Sequence, residues 1–311
     1  MSRLALATAV FLAVFASAEE VKSLRVLMIG NSYSRSVQQE LPAIAAADPS
    51  VKLVLRGATI GGCSIQRHLK EYDTSAAKPD HRPYGVNLRI PGRNDNKASL
   101  QECLQDGVYD IVTIQQSSPL SWDLATFDDA ARLIAIIRKY QPKAEIIGHL
   151  TWSYRADDKR ILPGGAFNMT QAQMQEKVIA CYRELAKRHH IRIIPVGVAV
   201  QIFRARTRQP FTAADVPKTP VKYEYPNLPP VRNDVVGGSR WLKKNKTGER
   251  YLRTDTIHLN ARGEYLQGCV WYMFLFGKTA KDVKYVSPRI KAEDARFLAQ
   301  CAEAAVQTWK P

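Results

Sequence analysis

Three residue types that can act together on an ester stand far apart in this 311-residue chain. Ser32 closes the apolar run Leu24–Ile29 within Gly30-Asn31-Ser32-Tyr33-Ser34. Asp255 and His258 lie in Thr254-Asp255-Thr256-Ile257-His258-Leu259-Asn260. A serine hydroxyl is a weak nucleophile. It needs a neutral imidazole to take its proton and a carboxylate to orient that imidazole. A short turn over Asp255 and His258, three residues apart, brings the carboxylate back to the ring and leaves the other ring nitrogen free to face a serine. The tetrahedral intermediate then needs donors aimed at its oxyanion. The N–H of Ser32, the N–H of Gly62 in Gly61-Gly62-Cys63-Ser64, and the amide of Gln116 in Gln115-Gln116-Ser117-Ser118 are the candidates. A glycine at 62 lets main chain approach closely.

Other residues compete for these roles. His68, His189 and His190 stand beside Arg or Lys in polar sequence, and His81 sits in a loop. His149, at a strand end near Thr151-Trp152, is the rival base, although a buried and bonded ring is the plainer reading. Asn31, Tyr33, Gln115 and Trp152 are candidates to touch the substrate, with Trp122, Tyr154 and Trp241 as further aromatic walls. No His/Cys cluster has metal-ligand spacing, so neither a metal nor another cofactor is expected. The five cysteines (Cys63, Cys103, Cys181, Cys269, Cys301) are odd in number and widely spaced, which excludes a disulfide scaffold. Cys181 and Cys269 fall in apolar helical patterns that suit buried free thiols.

The elements that must position these groups alternate between strand and helix. Leu24–Ile29, Val51–Arg56, Tyr109–Gln115, Ala144–Leu150 and Ile191–Val196 read as strands. Helical patterns lie at Ser36–Ala47, Lys97–Gln105, Ala125–Tyr140, Thr170–Arg188, Ala261–Gly277 and Ala292–Trp309. Phe127, Ala130, Ile134 and Ile137 line one face of the third helix; Met174, Val178, Cys181 and Leu185 line one face of the fourth. Such alternation predicts an α/β fold in three α/β/α layers, a parallel sheet of five strands covered on both faces. Ligands of open parallel sheets bind beyond the carboxyl ends of the strands. Ser32, Gly61-Gly62 and Gln115–Ser118 all fall there. Arg67–Asn96 and Gln209–Gly248 are polar and irregular, and loops that long are usually lids or excursions. No linker divides residues 19–311, which are expected to form a single domain.

Residues 1–18 have the form of a signal peptide. Arg3 precedes an apolar run from Leu4 to Ala16, and Ala16-Ser17-Ala18 suits cleavage after Ala18. The run is shorter than the roughly 20 residues of a spanning helix, and no later run is long enough to cross a membrane. A secreted or periplasmic protein is therefore expected. Lys and Arg number 45 against 29 Asp and Glu, a net charge of +16. Half of that excess, +8, lies in Phe203–Arg253 together with Tyr223, Tyr225, Trp241 and Tyr251. A basic, aromatic-bearing stretch on an exported protein fits acidic polysaccharide better than nucleic acid.

Taken together, Gly30-Asn31-Ser32-Tyr33-Ser34, Gly62, Gln115-Gln116 and the Asp255-x-x-His258-Leu259-Asn260-x-x-Gly263 tail resemble the SGNH hydrolase superfamily, the GDSL-like esterases. The likeness runs from about Leu24 to Gly277. It implies a flavodoxin-like sheet in strand order 2-1-3-4-5 and ester hydrolysis through an acyl-enzyme. It also implies Ser32 as nucleophile, Asp255 and His258 as its triad partners, and Gly62 as an oxyanion glycine. Asn31 stands where the G-D-S form has aspartate. Gln115-Gln116-Ser117 replaces the G-x-N-D block, so the third oxyanion donor is Gln116, with Gln115 and Ser117 as alternatives. The reading is a secreted serine esterase acting on a small acyl ester, chiefly acetyl, on a carbohydrate. Lipase or thioesterase action on the same triad, or a non-catalytic carbohydrate-binding protein on this fold, are the alternatives.

Overall fold

A computed structural model describes residues 21–86, 96–212, 221–229 and 233–310. The expected signal segment, and parts of both expected excursions, lie outside the described residues. In chain order the elements are β1 (Lys22–Gly30), α1 (Ser32–Val37), α2 (Leu41–Ala46), β2 (Val51–Thr59), α3 (Ile65–Ala77), β3 (Tyr84–Val86), β4 (Lys97–Ala98), α4 (Leu100–Gln105) and β5 (Ile111–Ile114). They continue with α5 (Ala130–Tyr140), β6 (Glu145–His149), α6 (Gln171–His189), β7 (Arg192–Ile194), α7 (Val196–Arg206), β8 (Val236–Lys243), β9 (Arg250–Leu259), α8 (Ala261–Phe276) and α9 (Ala292–Thr308).

Five strands form a parallel sheet in the order β2-β1-β5-β6-β7, which is 2-1-3-4-5 when the parallel strands alone are counted. Two short antiparallel strands, β3 and β4, extend it beyond β2. Strand β1 runs down the centre, with Met28 opposite Gly57 on one side and Thr113 on the other. Its apolar residues alternate between two cores, as a pleated strand buried on both faces requires. Leu27 and Ile29 join residues of α3, α4, α5 and α6, whereas Val26 and Met28 join α2, α7, α8 and α9. This is the three-layer α/β/α arrangement.

Where the fold departs from the sequence reading, local chemistry explains it. The helical stretch Ser36–Ala47 breaks into α1 and α2, with Pro in the first turn of the second. Lys97–Gln105 is not one helix: Lys97-Ala98 pairs with β3, and Ser99 then caps α4 through a capping box with Glu102. The expected irregular stretch Arg67–Asn96 begins as helix, because Ser64 caps α3 and Ile65, His68 and Leu69 give it a narrow buried stripe. The second expected excursion contributes β8, paired with β9 in a hairpin outside the main sheet. Helix α7 was hidden by its continuity with the apolar strand before it. All five cysteines are free and buried. Among the described residues, no helix is long and apolar enough to cross a membrane.

Candidate active site

The carboxyl end of β1 delivers Ser32. Gly30 ends the strand, Asn31 caps α1 by accepting the Tyr33 N–H at 3.0 Å, and Ser32 opens the helix, half-buried. The hairpin delivers the other two groups. Regular alternation would send residues three apart to opposite faces of β9, but the ladder is broken there. Gly238 pairs with Asp255 and Val236 with Leu259, so β9 advances four residues while β8 advances two. Such a bulge re-aims side chains. Within it, Asp255 Oδ1 accepts the N–H of Ile257 and of His258, each at 2.9 Å. The turn expected from sequence is thus a bulge near the end of a strand. Gly237 makes it possible at φ +83°, where an added Cβ would lie 2.6 Å from the Asp255 carbonyl oxygen.

The result is one hydrogen-bonded line. Ser32 Oγ is 2.9 Å from His258 Nε2, and His258 Nδ1 is 2.8 Å from Asp255 Oδ2. Burial opposes ionisation of Asp255, but hydrogen bonds from the His258 ring and from two backbone N–H groups outweigh it. They hold the carboxyl well below the usual carboxylate range. An ionised Asp255 fixes the proton on Nδ1 and leaves the Nε2 lone pair to accept from the Ser32 hydroxyl.

The segment after β6 clamps the bulge from behind. Tyr33 and Trp152 stack at 4.0 Å, and both donate to the Ile257 carbonyl, at 2.7 and 2.8 Å. The Arg155 N–H bonds the Thr256 carbonyl at 2.8 Å, and the Thr256 hydroxyl bonds Asp158 at 2.6 Å. Arg204 and Asp234, a buried ion pair at 3.1 Å, join Ser153 to the start of β8.

These contacts correct two of the four expected substrate contacts. Trp152 and Gln115 are buried, and neither lines a cavity at Ser32. Trp152 holds the His258 segment. Gln115 donates to Asn31 Oδ1 at 2.7 Å and accepts from Ser34 at 2.7 Å. Asn31, also buried, donates to the Cys63 carbonyl at 3.0 Å and so ties Ser32 to the Gly61-Gly62 turn. Tyr33 is edge-on to the His258 ring at 5.7 Å, with its hydroxyl committed to Ile257. Asn31 and Tyr33 line a cavity but serve as struts.

That cavity, about 310 Å³, is lined by Ser32, Gly61, Gly62, Ser118, Ile257 and His258 besides these two. Neither the Ser32 N–H nor the Gly62 N–H has an acceptor among the described residues. Gly62 takes φ +63°. Gln116 does not reach the cavity. Its amide nitrogen donates to the Thr126 carbonyl at 2.7 Å, and its oxygen accepts from Ile65 and Ser117. The buried glutamine holds the 61–65 turn in place, and its second N–H is directed to Gln66 Oε1 at 3.4 Å, which leaves neither for an oxyanion. Ser117 is buried behind it. The residue of this block that lines the cavity with Ser32 is Ser118, whose Oγ accepts from the Tyr154 hydroxyl at 3.1 Å. Nothing in the sequence distinguishes it from Ser117.

The rival base is excluded by its surroundings. His149 is sealed among Trp152, Trp271 and Gln267, and burial pushes its pKa down to about 3. His68, expected in polar surroundings, is also fully buried, 2.9 Å from the Tyr84 hydroxyl. On the other side of Ser32 and His258 lies a second cleft of about 420 Å³, lined also by Arg35, Arg240, Arg253 and Glu264.

Residues 25–215 match a family described as a domain of unknown function, DUF4886. A DUF4886 family protein from Bacteroides uniformis, 21% identical, superposes with a TM-score of 0.70 over 92% of this chain and 96% of its own. The fold is shared over nearly the whole length of both. A candidate SGNH hydrolase from Slackia heliotrinireducens (17% identical, 80% of this chain, 97% of that one) reaches 0.46. A candidate GDSL-like lipase from Parabacteroides merdae (12% identical, 83% and 97%) reaches 0.43. No curated protein matches the chain.

Proposed function

The chain belongs to the DUF4886 family, whose description names no reaction, so the activity is argued from the site: we propose a serine ester hydrolase of the SGNH type. The observation that carries this reading is the line from Ser32 Oγ through His258 to Asp255, with contacts of 2.9 and 2.8 Å. Ser32 Oγ attacks the ester carbonyl carbon as its proton passes to His258 Nε2. Asp255 balances the imidazolium. The N–H groups of Ser32 and Gly62, with the Ser118 hydroxyl in place of Gln116, receive the oxyanion. Collapse breaks the bond to the alcohol, which leaves with the proton from His258. Water then attacks the acyl-Ser32 carbonyl, giving its proton to His258, and the acid departs as Ser32 regains a proton.

The finer reading is acetyl or another small acyl group on a carbohydrate. Residues 19–311 act as one domain, secreted or periplasmic after cleavage at Ala18. The apolar leader and the basic, aromatic-bearing hairpin support it. N-terminal sequencing of the protein recovered outside the cytoplasm should begin at Glu19. Hydrolysis of p-nitrophenyl acetate should fall by about 10⁴-fold or more in Ser32→Ala, and a fluorophosphonate should label the Ser32 peptide. Turnover that survives Ser32→Ala would discard the assignment. A wild-type protein that neither turns over nor takes the label, yet binds glycans, would instead be a carbohydrate-binding protein on this fold.

A further inference from the structure

The larger cleft beside Ser32 holds more positive charge than the fold uses. Arg240 and Arg253 are directly opposite each other across the β8–β9 hairpin. Both are exposed, and both line the cleft that contains Ser32 and His258. Arg35, one turn along α1 from Ser32, lines it as well, its side chain bonded among the described residues only to the Thr59 hydroxyl, at 3.4 Å. None of the three has a carboxylate partner among the described residues. Other arginines of the fold, such as Arg25, Arg155, Arg160, Arg204, Arg262 and Arg289, each hold an Asp or Glu, and Arg183 and Arg250 lie over aromatic rings. The two carboxylates in the cleft wall are already engaged, Asp255 by His258 and Glu264 by Arg289. Like charges directly opposite in a hairpin destabilise it, so the stability of the fold does not account for this pair. A bound anion would, since two guanidinium forks match one carboxylate well.

We propose that Arg240 and Arg253, with Arg35, form an anion subsite that seats a carboxylate on the alcohol portion of the ester. The substrate is then an O-acylated acidic sugar. This rests on the esterase reading and adds the substrate class to it. The orientation follows from the site. The unpaired N–H groups of Ser32 and Gly62 lie at the smaller cavity, so the carbonyl oxygen turns that way. The leaving alcohol must meet His258, which also walls the arginine cleft.

The test compares two substrates that differ only at C6: a monoacetylated methyl glucuronide and the matching methyl glucoside. At low ionic strength the glucuronide should be preferred by about tenfold or more in kcat/KM, with the difference carried by KM. The preference should shrink as salt screens the site. It should collapse toward unity in Arg240→Gln, in Arg253→Gln and in the double variant. Arg132→Gln, remote and paired with Asp73, should keep it. Equal rates on the two substrates, or a preference retained by the double variant, would overturn the subsite. An acetylated glucose 6-sulfate preferred over the glucuronide would overturn the choice of carboxylate. Calorimetry on Ser32→Ala with trigalacturonate separates this from catalysis. Binding lost in Arg240→Gln/Arg253→Gln supports the subsite even if p-nitrophenyl acetate is never hydrolysed. Ready hydrolysis with no such binding and no preference leaves the esterase and removes the subsite.

Discussion

Asp255 carries two tasks on two oxygens, and that division sets what its replacement should do. Oδ1 holds the backbone of the bulge through Ile257 and His258, while Oδ2 meets the ring at Nδ1. Asparagine can keep the first task, since its carbonyl oxygen still accepts both N–H groups. It fails at the second, because its NH₂ presents a donor to Nδ1 and drives the ring proton to Nε2. That nitrogen can then no longer take the Ser32 proton. Asp255→Asn should therefore fold normally and lose about 10³–10⁴ in kcat, with KM little changed. Thermal melts beside p-nitrophenyl acetate kinetics check both halves. A variant within tenfold of wild type would mean that the carboxylate is only a structural cap. Tyr33 and Trp152 belong to the same scale, since two aromatic donors on one carbonyl fix the height of the ring.

At the scale of elements, the site depends on a local irregularity in β9, and Gly237 is where that irregularity can be attacked. Alanine there must adopt a positive φ, and its Cβ would press on the Asp255 carbonyl and on Arg155. Gly237→Ala should cost about 1–3 kcal/mol of stability and lower kcat as the bulge relaxes. Gly238→Ala, which meets nothing within 4 Å, should change neither. Urea melts and kcat on the two variants decide it; equal effects would mean that the bulge does not set the site. This also shows why some of the molecule was legible in sequence and some was not. Ser32 could be found because a polar residue after a central apolar strand must emerge at the carboxyl edge. The Asp255/His258 pair could be found because residue types and spacing survive whatever backbone connects them. The bulge could not, because it is defined by pairing with β8, seventeen or more residues away. Gln116 was misassigned for a related reason. A buried amide points wherever unmatched backbone groups lie, and here those belong to Thr126 and to the start of α3. Helix α7 was missed because Val196–Val200 is apolar on every side, which gives strand and helix the same pattern.

For the molecule as a whole, the sheet separates two cores, and each side buries a histidine that the proposed chemistry does not use. His68 packs on Tyr84 above one face; His149 sits between Trp152 and Trp271 on the other. Burial pushes both pKa values down to about 3, and Arg67 adds to the effect at His68. In the unfolded chain each would titrate near 6.5. Between those values the unfolded state binds protons that the folded state refuses. Stability is therefore complete above about pH 6.5 and falls as pH drops toward 3. The slope is about 1.4 kcal/mol per pH unit for each ring, or about 2 kcal/mol each by pH 5. Carboxylates with depressed pKa values, such as Asp255 and Asp48, act lower, below about pH 4, so from pH 7 to 5 the two buried rings dominate; His189, lowered by partial burial and by Arg188, adds a smaller share, and Glu264, raised by burial, opposes it. Urea unfolding at pH 7 and pH 5 should show wild type losing about 4 kcal/mol from the pair. His68→Gln and His149→Gln will each carry a packing cost of their own, so the slope and not the absolute stability is the readout. Each single variant should lose a similar large share of the pH dependence, and the double variant most of it, with His189 and Glu264 carrying the remainder. A double variant with the wild-type slope would mean that both rings accept protons inside the folded protein, and that neither core is as dry as its packing implies.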